Sequence, residues 1–480
     1  MTITVRDLVV THDGRPLVDV PELHLQPGRP VTIVGESGSG KSLLAQAIMG
    51  TLTHDLHLQG QLAIDGGTQD LGDRRQRRRL WGRVLALLPQ EPMLALDPTM
   101  RVRDQVAEGD RAFRRDRRGA RRRAEAALDA VGLAGRGAAF PHTLSGGMAQ
   151  RVAFAAATIG GAPVLLADEP SKGLDAKAIG ALADLLHRHV EDDGILLTIT
   201  HDLGLARELG GDVLVMKEAT IVERGAADQV LTTPTHPYTR RLLAAEPRSW
   251  DHGWMGAAPA DRGEAAELVT ATGIGKRFGD TELFADLSLT VRAGERVAIS
   301  GPSGSGKTTL GNVLARLLPP DTGEVRHAAA LGGGRLQKLY QDPALAFPAQ
   351  VSLGASMGDV VRRHRIDPRR TDALLEELHL PGSLLERRPG QVSGGELQRL
   401  AIIRAMLLEP AFLFADEPTS RLDLISQERT ITALLEQVDA HGCALLIVTH
   451  DAGLAEAVAH RHLDLDDLDQ ATAFAGSGSP

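Results

Sequence analysis

Two glycine-rich segments end in a lysine followed by a hydroxyl residue, a pattern suited to binding phosphate. They are VTIVGESGSGKS, residues 31–42, and VAISGPSGSGKT, residues 297–308. Each follows an apolar run typical of a strand and precedes apolar residues at helical spacing, which is the context that this motif requires. Glycine lets backbone N–H groups turn inward around phosphate oxygens, and a helix N-terminus adds positive potential. The segments therefore predict two sites for ATP or GTP.

Each residue type in these loops has an expected task. Lys41 and Lys307 should reach the β- and γ-phosphates, while Ser42 and Thr308 should coordinate Mg²⁺. The full nucleotide-binding set comprises Gly35, Ser37, Gly38, Ser39, Gly40, Lys41 and Ser42 in the first loop and Gly301, Ser303, Gly304, Ser305, Gly306, Lys307, Thr308 and Thr309 in the second.

Paired carboxylates follow two apolar runs, VLLADE and FLFADE. Such runs predict buried strands of a parallel sheet, whose carboxyl ends are where ligands bind. Asp168 and Asp416 are expected to hold Mg²⁺ directly or through water. Glu169 and Glu417 are expected to polarise the attacking water as general bases. The pairs thus predict hydrolysis as well as binding at both sites.

A Ser-Gly-Gly triplet precedes a helix-forming run in each half of the chain. LSGGMAQR contains Ser145, Gly146 and Gly147, and VSGGELQR contains Ser393, Gly394 and Gly395. A serine hydroxyl and glycine N–H groups at a helix start form an anion-binding arrangement. Alone the triplet is a weak signal, but it stands between a phosphate loop and an acidic strand in both halves.

These motifs recur in the same order, so the chain is an internal repeat. A strand also precedes TITHD and IVTHD in the respective copies. The predicted organisation is a first domain over 1–245, a Pro/Gly/Ala-rich linker over 246–266, a second domain over 267–465 and a tail over 466–480. The interval from Lys41 to Gln90 is longer than that from Lys307 to Gln341, which predicts a shortened β portion or loop in the second copy.

Composition limits the function classes. The chain has 480 residues, 42% of them hydrophobic, and a formal net charge of -9, which argues against broad nucleic-acid affinity. Its single cysteine, Cys443, excludes internal disulfides and cysteine-rich metal sites and favours a reducing compartment. The N-terminus lacks signal-peptide features and is expected to stay in the mature chain. No apolar stretch approaches the ~20 residues needed to span a bilayer.

Together these motifs resemble the ATP-binding cassette (ABC) family over nearly the whole chain. The resemblance implies an α/β fold of two tandem P-loop NTPase domains, each with a mainly parallel sheet, an antiparallel β portion and a helical insertion. It also implies ATP and Mg²⁺ as cofactors, hydrolysis of ATP, and pairing of the two domains so that one domain's signature triplet faces the other's phosphate loop.

Further positions take their roles from this resemblance. Gln90 and Gln341 look like the glutamines that contact Mg²⁺ and water. His201 and His450 look like the histidines that contact the γ-phosphate, and Asp175 and Asp423 match the family's D-loop aspartates. Phe278 stands where an aromatic residue stacks on adenine, and His12 occupies that place in the first copy.

The segment LTTPTHPYTRRLLAAEP, residues 231–247, is similar to a segment in ATPases of peptide and nickel importers. That similarity implies a peripheral protein at the cytoplasmic face of the inner membrane, serving transmembrane permease subunits and an extracytoplasmic solute-binding protein. HPYT could instead be an ordinary turn and helix start. The cargo, a peptide, nickel or a related small solute, stays open.

Two alternatives concern nucleic acids and lipid. A soluble fused ABC ATPase of translation or DNA repair would share the duplication, but the short linker and the single cysteine favour a transporter subunit. The arginine-rich runs 74–83 and 114–123 lack interleaved aromatics and predict solvated helix faces in the helical insertion, without nucleic-acid binding. Contact with anionic lipid or a permease loop is the other interpretation of these runs.

Overall fold

The computed structural model describes residues 1–250, 265–279 and 281–466. Their contacts divide the chain into two compact units, Met1–Ala244 and Ala245–Pro480. Most of the expected linker and nearly all of the expected tail lie outside the described residues, so the domain bounds stay a prediction.

The first unit has one ten-stranded sheet of mixed direction, in the order β5-β4-β1-β2-β10-β9-β3-β8-β7-β6. Its strands are β1 Ile3–His12, β2 Arg15–Leu25, β3 Val31–Val34, β4 His57–Ile64, β5 Gly67–Asp70, β6 Leu85–Leu88, β7 Val164–Asp168, β8 Ile195–Ile199, β9 Asp212–Lys217 and β10 Thr220–Ala226. Strands β6, β7, β8, β3 and β9 pair in parallel, whereas β1 pairs antiparallel with β2 and β4.

Ten helices accompany this sheet. They are α1 Lys41–Met49, α2 Arg74–Leu80, α3 Pro92–Ala95, α4 Val102–Glu108, α5 Arg117–Ala130, α6 Gly146–Thr158, α7 Ala176–Glu191, α8 Leu203–Leu209, α9 Ala227–Val230 and α10 Pro237–Ala244. Because side chains alternate along a strand, β7 serves two cores. Leu165 and Ala167 join the cluster under the helical insertion, and Val164 and Leu166 join the cluster of the antiparallel portion.

The second unit repeats the plan with two separate sheets, an antiparallel β12-β11-β14 and a parallel β15-β16-β17-β13-β18. Its strands are β11 Glu267–Phe278, β12 Thr281–Arg292, β13 Arg296–Ser300, β14 Thr322–His327, β15 Leu336–Leu339, β16 Phe412–Asp416, β17 Ala444–Val448 and β18 Arg461–Asp464. Its α-helices are α11 Lys307–Leu314, α12 Leu353–His364, α13 Arg369–Glu377, α14 Gly394–Met406, α15 Leu424–Ala440 and α16 Ala452–Val458. The predicted α/β class, with parallel and antiparallel portions, is confirmed in both units.

The interval between the phosphate loop and the glutamine is shorter in the second copy, and in the part of the chain that the structure describes this copy lacks part of the β portion, as predicted. Between α1 and β6 the first unit holds β4, β5 and α2, whereas between α11 and β15 the described residues hold β14 and a single 3₁₀ turn. The second unit therefore dispenses with one hairpin strand and one short helix.

The prediction for the first arginine-rich run is wrong about its location and about one side chain, whereas Arg75, Arg78 and Arg79 are exposed as predicted. The run forms α2 and the turn after it, ahead of β6 and so outside the helical insertion. Arg77 is fully buried rather than solvated, and burial lowers the pKa of its guanidinium to about 10 against the raising effect of Asp70 and Asp73. The side chain packs over the C-terminus of α1 at Gly50. The second run does lie in the insertion, in α5.

The first residues of the expected linker pack on the second unit. Pro247–Ser249 forms a 3₁₀ turn, and Trp250 is buried in the second unit's helical core. Trp250 Nε1 donates a hydrogen bond to the Ala245 carbonyl at 3.1 Å. Composition alone could not reveal this, because a single tryptophan in a Pro/Gly-rich run has no periodicity to follow.

Candidate functional site

Both phosphate loops lie between a buried parallel strand and a helix, as predicted. Lys41 opens α1 and Lys307 opens α11, each after a left-handed glycine, Gly40 or Gly306. Lys41 Nζ donates to the carbonyls of Gly35 at 2.7 Å and Glu36 at 2.6 Å. Lys307 Nζ makes the equivalent bonds to Gly301 and Pro302, both at 2.7 Å. Each ammonium group thus lies within the curve of its own loop, next to the helix N-terminus.

In both units the hydroxyl after this lysine bonds the first acid of the DE pair. Ser42 Oγ donates to Asp168 Oδ1 at 2.9 Å, and Thr308 Oγ1 donates to Asp416 Oδ1 at 2.7 Å. Burial raises the pKa of Asp168, and the bond from Ser42 opposes that effect. A hydroxyl and a carboxylate oxygen meeting beside a phosphate loop are the hard oxygen ligands that Mg²⁺ prefers, so the residues present fit this ion.

The second acid of each pair contacts the predicted histidine. In the first unit, His201 Nδ1 is 2.6 Å from Glu169 Oε2, and the His201 backbone N–H donates to the same oxygen at 3.2 Å. Burial would raise the pKa of Glu169, but the bond and charge of His201 outweigh it, so the pKa falls below its usual value. Burial likewise lowers the pKa of His201, yet the bond to Glu169 raises it overall. The carboxylate is therefore ionised at neutral pH.

The second unit brings a third side chain to its glutamate. Glu417 Oε2 accepts from Gln341 Nε2 at 2.8 Å and lies 3.4 Å from His450 Nδ1. Burial is the largest single effect and raises the pKa of Glu417, but the bond and charge of His450, with the Lys307 charge and the Gln341 bond, together lower it below its usual value. Gln90 follows β6 as Gln341 follows β15, but within the described residues the Glu169 carboxylate contacts His201 and makes no hydrogen bond with Gln90. Both sites have the same residue types, a glutamate, a histidine and a glutamine, but the bond from the glutamine to the glutamate is present in the second unit.

Glu169 and Glu417 both have left-handed backbone geometry, with φ of 46° and 44°. Each is fixed by a backbone bond to the neighbouring strand, from Glu169 N to the Ile199 carbonyl at 2.7 Å and from Glu417 N to the Val448 carbonyl at 2.9 Å. A non-glycine residue in this conformation costs about 1–2 kcal/mol. The surrounding strands therefore hold each glutamate in a conformation that its own backbone disfavours.

The signature triplets begin helices as expected. Ser145 caps α6 and Ser393 caps α14, each accepting a bond from the backbone N–H three residues later. In the second unit Glu396 closes a reciprocal capping box by accepting from Ser393 N at 2.8 Å. Gly146, Gly147, Gly394 and Gly395 form the first turns of these helices.

The D-loop aspartates have a local structural task. Asp175 caps α7 and Asp423 caps α15, accepting from Ala178 N at 2.8 Å and Ser426 N at 2.9 Å. Such caps contribute about 1 kcal/mol to helix stability. A functional role for these aspartates stays a prediction beside this one.

His12 and Phe278 occupy equivalent positions, each as the last residue of the first strand of its unit. Both are partly exposed, as an adenine platform must be; Phe278 is 55% exposed. His12 lies 3.7 Å from both Asp13 and Asp55, so its ring is beside two carboxylates. Adenine stacking at either position stays a prediction.

Two side chains near these sites were missed by the sequence analysis. Tyr238, in α10 of the HPYT segment, accepts a hydrogen bond from the Glu36 backbone N–H in the first phosphate loop at 3.0 Å. Lys338, in β15, forms an ion pair with Asp416 at 3.1 Å. Only the second left a signal, since the four-residue strand β15 reads LQKL, with a lysine where the equivalent strand β6 of the first unit, LALL, has a leucine.

Each unit of the chain matches a known protein family in sequence. Residues 18–172 and 284–420 each match the ABC transporter family. The chain belongs to the ABC transporter family. The ABC protein is accordingly an ATPase that binds ATP, with two nucleotide-binding domains fused in one chain.

Relatives match across both domains. The peptidoglycan transport ATP-binding protein YejF of Agrobacterium fabrum is 35% identical over 490 residues, covering 95% of this chain and 90% of that protein. The glutathione import ATP-binding protein GsiA of Pectobacterium atrosepticum is 33% identical over 493 residues, covering 90% of this chain and 79% of that protein. An uncharacterised YejF of Escherichia coli K12 is 32% identical, covering 93% and 90%.

Solved structures agree on the fold. A structure named RNase-L Inhibitor has a TM-score of 0.65 at 20% identity, covering 96% of this chain and 87% of its own. A complex that contains an archaeal ribosome recycling factor scores 0.66 at 22% identity. At such identities the likeness concerns the tandem fold alone. Among the described residues of the ABC protein, no helix combines the length and hydropathy that crossing a bilayer requires.

Replacing Tyr238 with Phe should weaken ATP binding at the first site. The change leaves the Glu36 N–H without this acceptor, at a cost of about 1 kcal/mol, or about fivefold in affinity if the loop loosens. Titration of a fluorescent ATP analogue should show the loss when the second site is disabled by Lys307→Ala. Second-site affinity, measured with Lys41→Ala instead, should not change, and a fall in both would mean a general loss of folding.

Glu223 anchors the HPYT segment. It accepts bonds from Thr235 N at 2.7 Å, Thr235 Oγ1 at 2.8 Å and His236 N at 3.2 Å. Burial would raise the pKa of Glu223, but the Thr239 hydroxyl and these donors outweigh it and lower the pKa to about 2. The carboxylate therefore stabilises the fold above its unfolded pKa of 4.5, and that stabilisation is lost as pH falls through 4.5 toward 2.

Glu223→Gln should consequently lower the thermal stability of the first unit at pH 7, by about 1–2 kcal/mol after solvent screening. The gap from the parent chain should narrow as pH falls from 4.5 toward 2, because the unfolded parent chain then takes up a proton at Glu223 that the folded chain binds only near pH 2. Thermal unfolding followed by circular dichroism across pH 3–8 measures this. Glu191→Gln, at an exposed carboxylate ending α7, is the control; a pH-independent gap for Glu223→Gln would contradict the anchoring role.

Proposed function

We propose that this protein is the ATP-hydrolysing subunit of an importer of peptides or small peptide-like solutes. The observation that carries the proposal is a similarity that runs through both domains and over 95% of the chain to a peptidoglycan transport ATP-binding protein. The similarity to a glutathione import ATP-binding protein points to the same solute class. The HPYT segment, anchored by Glu223 and bonded to the first phosphate loop, supports the importer type that its sequence resembles.

Each site has a complete set of groups for hydrolysis. The loop N–H groups with Lys41 or Lys307 would hold the phosphates, and Ser42 with Asp168, or Thr308 with Asp416, would hold Mg²⁺. When bound, that ion neutralises charge on the phosphates. Glu169 and Glu417, ionised at neutral pH, orient and polarise the attacking water, while His201 and His450 hold these carboxylates in place and contact the γ-phosphate. Gln90 and Gln341 would contact the ion and the water.

The partners in this proposal are transmembrane permease subunits and, through them, an extracytoplasmic solute-binding protein. The chain would then sit at the cytoplasmic face of the inner membrane as a peripheral subunit. Fractionation after expression with and without the partner permease subunits tests the placement. The chain should be recovered with membranes only when the permease is present, and firm insertion of the chain alone would contradict it.

Transport itself is tested with the purified complex in liposomes. Permease subunits and a solute-binding protein that co-purify with this chain from its host are reconstituted with it, and uptake of labelled glutathione and of a labelled peptidoglycan-derived peptide is measured with ATP present. ATP-dependent uptake of one of them is expected, and none should occur when Lys41 and Lys307 are both replaced with Ala. ATP hydrolysis that neither solute stimulates would count against this solute class.

A further inference from the structure

Lys338 lies at the centre of a buried polar cluster in the second ATP site. Its Nζ is 3.1 Å from Asp416 Oδ2 and donates to Asn312 Oδ1 at 2.9 Å. The ammonium group also lies 4.7 Å from the centre of the Phe414 ring and 5.4 Å from that of Tyr340. Only 12% of its side chain is exposed. A buried lysine is costly unless it is paired, and here a carboxylate, an amide oxygen and two ring faces surround it.

The first ATP site has a different residue at this position. Lys338 aligns with Phe414 on β16, two residues before Asp416, and Leu87 aligns with Leu166 on β7, two residues before Asp168. Leu87 is thus the equivalent of Lys338 and carries no charge. Counting from the loop lysines, Gln46 stands where the second unit has Asn312. The lysine and its aromatic partner Phe414 are therefore features of the second site alone, whereas both sites have a side-chain amide at the third position.

This cation shares the carboxylate expected to hold Mg²⁺. Asp416 Oδ1 accepts from Thr308 and Oδ2 pairs with Lys338, so both oxygens have partners. A positive charge a few ångströms from a cation site, in a partly desolvated environment, weakens binding of a second cation by an amount that can exceed tenfold. The same charge attracts the phosphate end of a nucleotide.

We propose that Lys338 is a built-in positive charge that makes the second ATP site less dependent on Mg²⁺ than the first. Asp416 is neutralised by a side chain of its own domain, so ATP binds there with a weaker metal requirement. In the first site Asp168 relies on the metal ion. Lys338 acts through Asp416 and is a positioning residue. The inference rests on the proposed Mg²⁺ sites and distinguishes the two of them.

The test uses the full chain with one site isolated at a time. Lys307→Ala leaves the first site and Lys41→Ala leaves the second. Electron paramagnetic resonance measures Mn²⁺ binding in the presence of ATP, and a fluorescent ATP analogue is titrated with Mg²⁺ or with EDTA. We expect Mn²⁺ affinity about tenfold lower at the second site, and a smaller loss of nucleotide affinity there when EDTA replaces Mg²⁺.

Three substitutions in the Lys41→Ala chain separate charge from packing. Lys338→Met should raise Mn²⁺ affinity about tenfold and make nucleotide binding strongly sensitive to EDTA. Lys338→Arg keeps the charge and should behave like the parent. Arg370→Met removes another ion pair of this unit, to Glu409 at 2.6 Å, and should change neither quantity.

Two results would overturn the inference. Equal Mn²⁺ affinities at the two isolated sites, with no effect of EDTA that differs between them, would refute it while leaving both Mg²⁺ sites intact. Absence of ATP-dependent Mn²⁺ binding at both sites would refute the Mg²⁺ assignment itself, and the inference with it. The comparison of the two parent sites needs no change at Lys338, so the test does not depend on the folding of that variant.

Discussion

Replacing Glu169 and Glu417 together with Gln should abolish ATP turnover while leaving ATP bound. The amide keeps the size of the side chain but cannot take a proton from water, and loss of a general base lowers a rate by about 100-fold to 10,000-fold. The phosphate loops, with Lys41 and Lys307, are unchanged. Affinity for ATP should therefore stay within a few-fold of the parent.

Steady-state hydrolysis by the purified permease complex, together with titration of a fluorescent ATP analogue, measures both quantities. Each single variant then reports how much turnover the other site supports alone. Glu208→Gln with Glu456→Gln, at exposed positions of α8 and α16, makes the matched control because it removes two carboxylates outside the sites. Turnover within twofold of the parent in the double Glu169/Glu417 variant would refute the assignment of the bases.

Gly35→Ala should prevent ATP binding at the first site and destabilise the unit around it. Gly35 has a φ of 151°, and an added Cβ would lie 2.1 Å from the carbonyl oxygen of Met216. Met216 belongs to β9, which is paired with β3 on one side and β10 on the other, so its backbone cannot retreat. The phosphate loop must move instead, and we expect a loss of affinity above tenfold with a loss of about 2–3 kcal/mol in stability.

Gly66→Ala is the control for this effect. Gly66 also has a positive φ, 84°, but an added Cβ there meets nothing within 4 Å. Gly66→Ala should lower the free energy of unfolding by about 1–2 kcal/mol through backbone conformation alone, and it should not change the affinity for ATP. Binding is measured in the Lys307→Ala chain, and stability by thermal unfolding. If the two alanine variants bound ATP equally well, the close approach to Met216 would not matter to the loop.

The sequence predicted the strand, loop and helix around each lysine because all three are specified by adjacent residues. It also predicted the DE strand ends, because a run of four apolar residues directly before the carboxylates is a local signal of a buried parallel strand. Contacts between distant residues left no such signal. Glu36 and Tyr238 are 202 residues apart, and nothing near either residue indicates that they meet.

The predictions for Arg77 and Trp250 differ from the structure for a similar reason, because distant residues decide where these side chains lie. Arginine-rich composition usually means a solvated face, but α2 turns Arg77 toward the end of α1, where packing rather than charge decides its place. The Pro/Gly/Ala-rich composition of 246–266 predicts a linker there, whereas the helical core of the second unit covers Trp250. In both cases the deciding partner comes from elsewhere in the fold.

At Glu169 and Glu417 the left-handed backbone favours a residue other than glutamate, whereas hydrolysis requires the glutamate carboxylate. Glycine would relieve the conformational cost, and Asn or Asp would tolerate it better than Glu does. None of them places a carboxylate at the reach of a glutamate side chain. Random mutation followed by selection for thermal stability alone should therefore enrich replacements at these two positions. The selected proteins should be more stable but unable to hydrolyse ATP. Selection for solute uptake should restore glutamate at both positions despite its conformational cost.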